Sequence, residues 1–589
     1  MCGFTVIFKK RSFGQISKKD FFNASLNISH RGPDDRHHFI DENIMMDFFR
    51  LNILDLSKRG RQPMESFSGR YMIVFNGEIY NKDELKNKIK FEKLKSTTDT
   101  EILINLFEKY KFKMMNFLEG MFSFVIYDKK LNKIYVGRDR FGIKPLFYSD
   151  EREYIIFSSE LKPILKLTNK RDINDKAAFN FFFNQTMDGH KETFFNGINN
   201  FLPASIAEID KNNFKIENYW KILNKNIVLT QDIALKKFSE LFENSINQHL
   251  NSDVEIGLFL SGGTDSTILA KYMADQRIDF KTYTYDFVNS GKYGESKKAK
   301  QTSKFLGLQN FCSMIKPDYI INNYDKIIQS LESPFTSIRL FGDYMLYEQC
   351  KINQTKVILL GQGGDEIFSG YSYNKTAHKY DLNKKKSKKF NIFDQINLTK
   401  DGKNYLFSEN FNQDFVNKFS KFHKTIFSLS AKNNLKKSQE LDIKYINLPR
   451  SLKYSDRLSM NFGVEARIPY LNHKLAEFGF NLDAKFKYSG NNQTRSVLKN
   501  YVVKNKIFKY LTKTKKSIAD PQREWFRKEL KDFFYDKINS KNFINSDIVN
   551  QKGFKKNYEN LLKGKINTSF NIFQLISFVD FKYIFQNFK

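Results

Sequence analysis

Cysteine is scarce in this sequence of 589 residues. Its three cysteines, Cys2, Cys312 and Cys350, are too few and too widely spaced for a disulfide framework or a zinc knuckle. The sequence also lacks an apolar run of about 18 residues, which argues against a membrane span. The N-terminus has no basic flank followed by an apolar stretch, so we expect no signal peptide. These absences predict a cytoplasmic chain, and its length predicts at least two substantial domains.

Acidic residues are in deficit as well. Lys and Arg number 97 against 65 Asp and Glu, which gives a formal net charge of +32. Such an excess raises nucleic acid or a membrane surface as partners. The basic residues are spread out, however, and accompany Asn, Ile and Phe, which share AT-rich codons with Lys. The densest run, Lys384–Lys389, lies in a polar stretch typical of a solvated loop. We therefore expect small-molecule substrates, with no nucleic-acid or membrane partner and with a homodimer as an option.

The chain starts Met1-Cys2, and methionine is normally trimmed before a small residue. Cys2 would then carry a thiol and a free α-amine, whose unperturbed pKa is about 7.7–8.0. The amine can take the thiol proton and so act as a built-in general base. A frayed terminus is the alternative interpretation. The apolar segment Thr5–Phe8 predicts a strand directly after Cys2, which would pin the terminus and favours the nucleophile.

A series of short motifs follows in the first third of the chain. They are MCGF, HRGPD, RLNILD, GRQPM, FNGEIYN and TDTE, and later GMFSF, GRDRFGIKPL and FSSE. In order and spacing they resemble the class II glutamine amidotransferase domain. The resemblance implies that residues 2–220 form an α+β N-terminal-nucleophile domain, a four-layer αββα sandwich. It also implies that this domain releases ammonia from glutamine.

The resemblance carries over to individual residues. Cys2 is the expected nucleophile, and the oxyanion of the tetrahedral intermediate would be stabilised by the Asn76 side chain and the Gly77 backbone N–H. Arg50 suits the substrate α-carboxylate, since its planar donors match a carboxylate. A surface ion pair for Arg50 and a hairpin turn at Asn76-Gly77 are the alternatives. The expected glutamine site comprises Arg50, Leu51, Asn52, Ile53, Leu54, Asn76, Gly77, Glu78 and Asp99, the two acids facing the α-ammonium group.

A second domain is predicted at 233–589, after a polar linker at 221–232. The apolar run Ile256–Leu260 is typical of a buried parallel strand. Ser261–Ser266 (SGGTDS) follows it, and an apolar helix comes next. A strand, a glycine turn and a helix N-terminus form an anion site. SGGTDS resembles the pyrophosphate loop of ATP pyrophosphatases and lacks the Walker A pattern. The expected chemistry is the adenylation of a carboxylate, with an α/β parallel sheet as the fold.

A second apolar strand, Lys356–Leu360, runs into a glycine turn with Asp365 and Glu366. Open α/β sheets bind ligands at such a crevice. Asp265 and Asp365 are the predicted Mg²⁺ ligands, because hard oxygen donors suit that ion. Helix capping is the alternative role for the acidic pair. The expected ATP site comprises Leu260, Ser261, Gly262, Gly263, Asp265, Ser266, Tyr285, Leu360, Gly361 and Arg495.

With YSDRLSM and VEARIPYL, the chain resembles the glutamine-hydrolysing asparagine synthetases over nearly its whole length. The resemblance implies ATP-dependent activation of the aspartate β-carboxylate and displacement of AMP by ammonia. Three positions depart from the family pattern: Gln362 stands for a glutamate, Ser333 for the Glu of Asp-Glu-Pro, and Asn472 for an aspartate. Gln362 cannot act as a base.

Gln362 and Glu366 are therefore both catalytic candidates, and Glu366 or another group would take the proton. Aspartate is the expected acceptor, and a surface-glycan sugar acid or another small acid is the alternative. Two rival classes, a tRNA-modifying ATP pyrophosphatase and a non-catalytic protein, leave the intact set of Cys2, Arg50, Asn76 and Asp99 unexplained.

Overall fold

The computed structural model describes residues 2–89, 94–225, 227–289, 294, 296–382, 429–489, 493–507 and 520–588. The run Lys384–Lys389, which the sequence placed in a loop, lies outside the described residues. No helix in the described ranges is both long and apolar enough to cross a membrane.

Two six-stranded antiparallel sheets form the N-terminal part of the chain. The first has the strand order β10-β8-β9-β1-β3-β2 and the second the order β12-β11-β7-β6-β5-β4. Their strands are β1 Cys2–Lys9, β2 Asp35–Ile40, β3 Ile44–Arg50, β4 Met64–Glu65, β5 Tyr71–Ile79, β6 Gly120–Asp128, β7 Lys133–Arg138, β8 Phe147–Asp150, β9 Tyr154–Ser158, β10 Asn199–Asn200, β11 Ser205–Ile209 and β12 Phe214–Asn218.

Alternating side chains place these sheets in the middle of four layers. Phe4, Val6 and Val74 belong to an apolar cluster shared by the two sheets. The opposite face of the second sheet, with Ile73, packs with Leu103 and its neighbours. Because successive strand residues face opposite sides, each sheet contacts the other sheet on one face and helices on the other. The predicted αββα sandwich is confirmed. Its helices are α1 Lys18–Ser25, α2 Lys82–Ile89, α3 Asp99–Tyr110, α4 Leu161–Thr168 and α5 Asp175–Phe179.

A third, parallel sheet organises the C-terminal part. Its order is β15-β14-β13-β16-β17. Strand β16 is buried throughout, as expected for a parallel strand covered on both faces. The bounds are β13 Ile256–Phe259, β14 Lys281–Phe287, β15 Asn310–Ile315, β16 Val357–Leu359 and β17 Glu465–Arg467, with a short hairpin of β18 Tyr488–Ser489 and β19 Gln493–Thr494. This sheet confirms the predicted α/β class.

Helices surround the parallel sheet and form the C-terminal end. They are α6 Gln231–His249, α7 Thr264–Asp275, α8 Ser296–Leu306, α9 Pro317–Leu331, α10 Leu340–Ile352, α11 Gly364–Phe368, α12 Ser372–Leu382, α13 Asn434–Lys444, α14 Asn447–Met460, α15 His473–Asn481, α16 Ala484–Lys487, α17 Ser496–Lys504, α18 Gln522–Arg527, α19 Lys531–Asn539, α20 Lys541–Ile544, α21 Gln551–Leu562 and α22 Ser569–Gln586.

Two local details differ from the interpretation of the sequence. Asn76-Gly77 is not a hairpin turn, because β5 continues to Ile79 and pairs with β6 on both sides of these residues. Helix α6 begins at Gln231, inside the stretch expected to be linker, since the Thr230 side chain caps it by accepting from the Ile233 N–H. The polar composition of the stretch concealed this cap, which is a common helix start signal.

Candidate functional site

Cys2 starts the central strand β1. In the register of β1 and β3 it lies opposite Arg50, so antiparallel pairing alone brings the predicted nucleophile and the predicted carboxylate binder together. The Cys2 backbone N–H donates to Asn76 Oδ1 at 3.1 Å, and the Cys2 carbonyl accepts from Arg31 Nε at 3.1 Å. Burial raises the pKa of the Cys2 thiol, although a hydrogen bond from the Leu51 backbone and the Arg50 charge oppose that shift. Cys2 is thus held on both sides.

Asn76 offers a spare donor at the same place. Its Nδ2 is buried and has no hydrogen-bond partner among the described residues. Since a buried amide N–H without a partner costs free energy, this donor indicates a ligand acceptor. Next to it, Gly77 must lack a side chain, because a Cβ there would lie 2.2 Å from the Met121 carbonyl oxygen. The two predicted oxyanion donors are therefore adjacent to Cys2 in the structure.

Arg50 is buried, and it makes no ion pair with any residue in the described part of the chain. Its guanidinium donates to the carbonyls of Ser57 at 2.8 Å, Asp55 at 2.5 Å and Leu54 at 3.2 Å. These bonds order the loop that follows β3 and commit three of the five N–H donors, so Nε–H and one Nη1–H remain for a ligand. Gly60 permits the close approach, since a Cβ there would meet Arg50 Nη2 at 2.0 Å.

The residues predicted to follow Arg50 in the glutamine site lie in the loop after β3. Leu51, Ile53 and Leu54 are buried. Asn52 donates its backbone N–H to Asp34 at 2.8 Å, and its buried Oδ1 has no partner in the described part of the chain. Within the described residues, the loop thus supplies buried apolar side chains and one unpaired acceptor, Asn52 Oδ1.

Two buried carboxylates, Glu78 near the end of β5 and Asp99 at the start of α3, are neighbours. Asp99 accepts from the Ile79 N–H at 2.7 Å, and Glu78 Oε1 is buried without a partner in the described ranges. Burial raises the pKa of Asp99 to about 6, and burial together with the Asp99 charge raises the pKa of Glu78 well above its usual range. An incoming ammonium group would relieve this cost. Arg467 from the C-terminal part approaches Glu78 at 3.6 Å, a contact that no local motif indicated.

The predicted anion loop lies at the carboxyl end of the parallel sheet. Gly262 has φ +70°, and a Cβ there would meet Lys298 and Ala299 at 2.8–2.9 Å, so glycine is required. Ser266 Oγ lies 3.3 Å from the Ser261 N–H and closes the loop. A cavity of about 420 Å³ opens beside it. Of the expected ATP residues, it is lined by Leu260, Ser261, Gly263, Asp265, Ser266, Tyr285, Leu360 and Gly361.

Arg495 joins the two predicted metal ligands. Its Nη1 donates to both carboxylate oxygens of Asp265, at 2.5 and 2.7 Å, and lies 3.1 Å from Asp365 Oδ1. A pair of carboxylates at a phosphate loop fits Mg²⁺, which usually takes one or two carboxylates and completes its shell with water and phosphate oxygens. The described residues contain no cluster of three or more acidic, His or Cys groups that would hold a metal alone.

Gln362 and Glu366 also line this cavity. Gln362 Oε1 lies 2.7 Å from Ser455 Oγ, which positions its amide, and Glu366 Oε1 accepts from Tyr371 Oη at 2.5 Å. Of the two candidates, only Glu366 has a carboxylate that can take a proton.

A buried ion network beside Cys2 joins the N-terminal and C-terminal parts of the chain. Arg31 donates from Nη1 and Nη2 to Asp456, at 2.8 and 3.1 Å, and from Nη1 to Glu160 at 2.9 Å. Arg457 pairs with Glu160 at 3.1 Å and with Glu332 at 3.0 Å. Arg31, Asp456 and Arg457 stand in the HRGPD and YSDRLSM motifs, but no sequence pattern indicates that these segments meet.

Comparisons with known proteins match the two parts of the chain to two families. Residues 1–220 match the family described as glutamine amidotransferase domain, and residues 237–586 match the family described as asparagine synthase. Asparagine synthetase [glutamine-hydrolyzing] 1 of Bacillus subtilis is 32% identical over 63% of this chain and 59% of its own length. Asparagine synthetase [glutamine-hydrolyzing] 2 of the same species is 30% identical over 77% of this chain and 62% of its own. The chain thus spans about three fifths of these two relatives. Amidase chyE of Penicillium rubens is 24% identical over 85% of this chain and 84% of its own length.

Proposed function

The chain belongs to the asparagine synthase family, and from that premise we propose that it is an ATP-dependent carbon–nitrogen ligase with glutamine as amido donor. Cys2 hydrolyses glutamine to ammonia. ATP adenylates the aspartate β-carboxylate, and ammonia displaces AMP to give asparagine, AMP and pyrophosphate. Residues 2–220 supply the first reaction and 233–589 the second, with 221–232 between them. We place this activity in the cytoplasm, acting on small molecules, with neither nucleic acid nor membrane as a partner and a homodimer as an option.

One observation carries the proposal. Arg31 contacts the Cys2 carbonyl through Nε and Asp456 through both Nη atoms, while Ser455, the residue before Asp456, contacts Gln362 in the nucleotide cavity. Two neighbouring residues of α14 therefore connect the nucleophile with the activating site. Such a direct connection supports transfer of the released ammonia to the adenylate within one molecule.

At the first site, the Cys2 thiol gives its proton to the α-amine and attacks the glutamine side-chain amide. Asn76 Nδ2 and the Gly77 N–H stabilise the oxyanion. The remaining Arg50 donors bind the α-carboxylate, while Asp99 and Glu78 bind the α-ammonium. The unpartnered Asn76 Nδ2 and Glu78 Oε1 support these roles.

At the second site, the loop Ser261–Ser266 and the N-terminus of α7 bind the β- and γ-phosphates that leave as pyrophosphate. Asp265 and Asp365 would hold Mg²⁺, which when bound neutralises charge on the phosphate oxygens. Arg495, already in contact with both carboxylates, adds a fixed positive charge at the same place. Tyr285 and Leu360 lie on the cavity wall where the adenosine would bind.

Ammonia that attacks the adenylate must lose a proton. Gln362 cannot take it, since a carboxamide is not a base. We assign the proton to Glu366, whose carboxylate lies in the same cavity and is oriented by Tyr371. Gln362 then serves to orient the adenylate by hydrogen bonding.

The acceptor decides between asparagine synthesis and the alternative, amidation of another carboxylate such as a surface-glycan sugar acid. Pyrophosphate release with ATP, magnesium and glutamine is measured with and without aspartate, and asparagine is detected by mass. Aspartate-dependent pyrophosphate matched by asparagine is the expected result. Glutamine hydrolysis without asparagine would contradict the assignment of aspartate and direct the search to sugar acids.

A further inference from the structure

A second cavity adjoins the nucleotide cavity. It measures about 360 Å³ and shares part of its wall with the nucleotide cavity of about 420 Å³. The shared residues are Arg339, Asp343, Gln362, Tyr371 and Ser451. With ATP bound in the nucleotide cavity as proposed, this shared wall is where a carboxylate held in the second cavity would meet the nucleotide. The rest of the acceptor then extends into the second cavity, which has the volume of about twelve water molecules at roughly 30 Å³ each.

Asp343 introduces a negative charge at the shared wall. It lies in the first turn of α10, and its carboxylate makes no hydrogen bond or ion pair with any residue in the described ranges. Burial raises the pKa of Asp343, and the charge of Arg339 opposes the shift. A carboxylate in a cavity without a hydrogen-bonded partner is costly, and a ligand cation would remove that cost.

Arg450 introduces a positive charge at another point of the second cavity. It lies in the first turn of α14, and in the described part of the chain its guanidinium makes one hydrogen bond, from Nη2 to Asn447 Oδ1 at 2.7 Å. Four of its five N–H donors therefore remain for a ligand. The N-terminal end of α14 adds positive potential in the same place. This combination suits a carboxylate.

We propose that the second cavity recognises the α-amino-acid end of the acceptor, with Asp343 binding the α-ammonium and Arg450 binding the α-carboxylate. This inference rests on the proposed function and deepens it, because it assigns the residues that select the acceptor. The acceptor is an α-amino acid whose side-chain carboxylate reaches the nucleotide cavity. A sugar acid has no ammonium group for Asp343.

The test uses ammonium as nitrogen donor, so that the glutamine site is not involved, and measures pyrophosphate release with ATP and magnesium. Three compounds are compared: aspartate, succinate, which lacks the ammonium, and β-alanine, which lacks the α-carboxylate. Half-saturating concentrations are determined, or inhibition constants for a compound that is not turned over. Wild-type protein should prefer aspartate to both analogues.

Asp343→Asn should weaken the binding of aspartate by about 10- to 100-fold, which is the effect of losing one hydrogen bond to a charged group. The binding of succinate should not change. Arg450→Gln should weaken the binding of aspartate and succinate and leave the binding of β-alanine unchanged. Retained binding of the unaffected analogue shows that each variant is folded. Glu348→Gln, on the same helix as Asp343 but outside both cavities, is the matched control and should leave all three values unchanged.

Unchanged discrimination between aspartate and succinate in Asp343→Asn would overturn this inference while the proposed function stands. Equal loss of aspartate and succinate would also overturn it, since Asp343 would then act on something other than the ammonium. A wild-type protein that releases pyrophosphate with a uronic acid and not with aspartate would overturn both the inference and asparagine synthesis.

Discussion

Replacing Asp456 by Asn should uncouple glutamine hydrolysis from product formation. Asp456 accepts two of the four hydrogen bonds that the Arg31 guanidinium makes, and Arg31 is fully buried. Removing one partner of a buried ion pair costs about 3–5 kcal/mol. Because Glu160 still faces Arg31 and Asn retains one acceptor, we expect a loss near the lower end, about 3 kcal/mol.

The functional effect follows from the position of the pair. Arg31 Nε holds the Cys2 carbonyl, and Ser455 next to Asp456 holds Gln362, so a shift of Arg31 disturbs the connection at both ends. Coupling between sites changes by about 0.5–2 kcal/mol when such links are mutated, which is roughly 2- to 30-fold. The assay is the amount of amidated product per glutamine hydrolysed, measured together with the thermal unfolding midpoint.

Asp128→Asn is the matched control. Asp128 is equally buried and forms a two-fold pair with Arg70, at 2.9 and 2.7 Å, but within the N-terminal part and away from both sites. It should lower stability and leave the product ratio unchanged. A product ratio in Asp456→Asn equal to that of wild type would refute the role of the Arg31–Asp456 pair in transfer.

Three further outcomes are expected. Cys2→Ala should abolish glutamine hydrolysis but retain product formation from added ammonia; loss of both would contradict two separate sites. Burial raises the pKa of Asp99 to about 6. We therefore expect Asp99 to lose its negative charge as the pH falls below that value, and the half-saturating glutamine concentration to rise about tenfold per pH unit there. A hydrolysis profile that is flat in acid, or that Asp99→Asn leaves unchanged, would exclude this role. Asp265→Ala should abolish pyrophosphate release with glutamine and with ammonia alike, and unchanged ATP cleavage would show that the loop assignment is in error.

Local segments of the fold were predictable because their signals are local. The apolar run before Ser261 gave β13, and the glycine turn and following helix lie where the pattern placed them. Thr98 caps α3 as its sequence indicates, since its side chain accepts from the Glu101 N–H. In each case the signal is a short continuous segment, an apolar run before a glycine turn or a cap three residues from its partner, and so the sequence pattern contains it.

Contacts between distant segments could not be predicted in this way. Arg31 and Asp456 are 425 positions apart. Arg467 reaches Glu78 only because the edge strand β17 lies against the N-terminal part of the molecule. The same reason explains why the alternative of a hairpin turn at Asn76-Gly77 does not apply. An Asn-Gly pair favours a tight turn locally, but pairing with β6 extends the strand through it, and tertiary context overrides the local preference.

Helix α14 links the two sites that the proposed function assigns to one enzyme. Arg450 in its first turn faces the second cavity, while Ser455 contacts Gln362 and Asp456 contacts Arg31. Successive residues on an α-helix differ by about 100° in direction, because a turn takes 3.6 residues, so Ser455 and Asp456 necessarily face different sides. Since the helix is one rigid element, a movement that repositions Arg450 on acceptor binding also acts on the Arg31 contact to Cys2. Occupancy of the acceptor cavity should therefore alter glutamine hydrolysis in wild-type protein, and Asp456→Asn should remove that response.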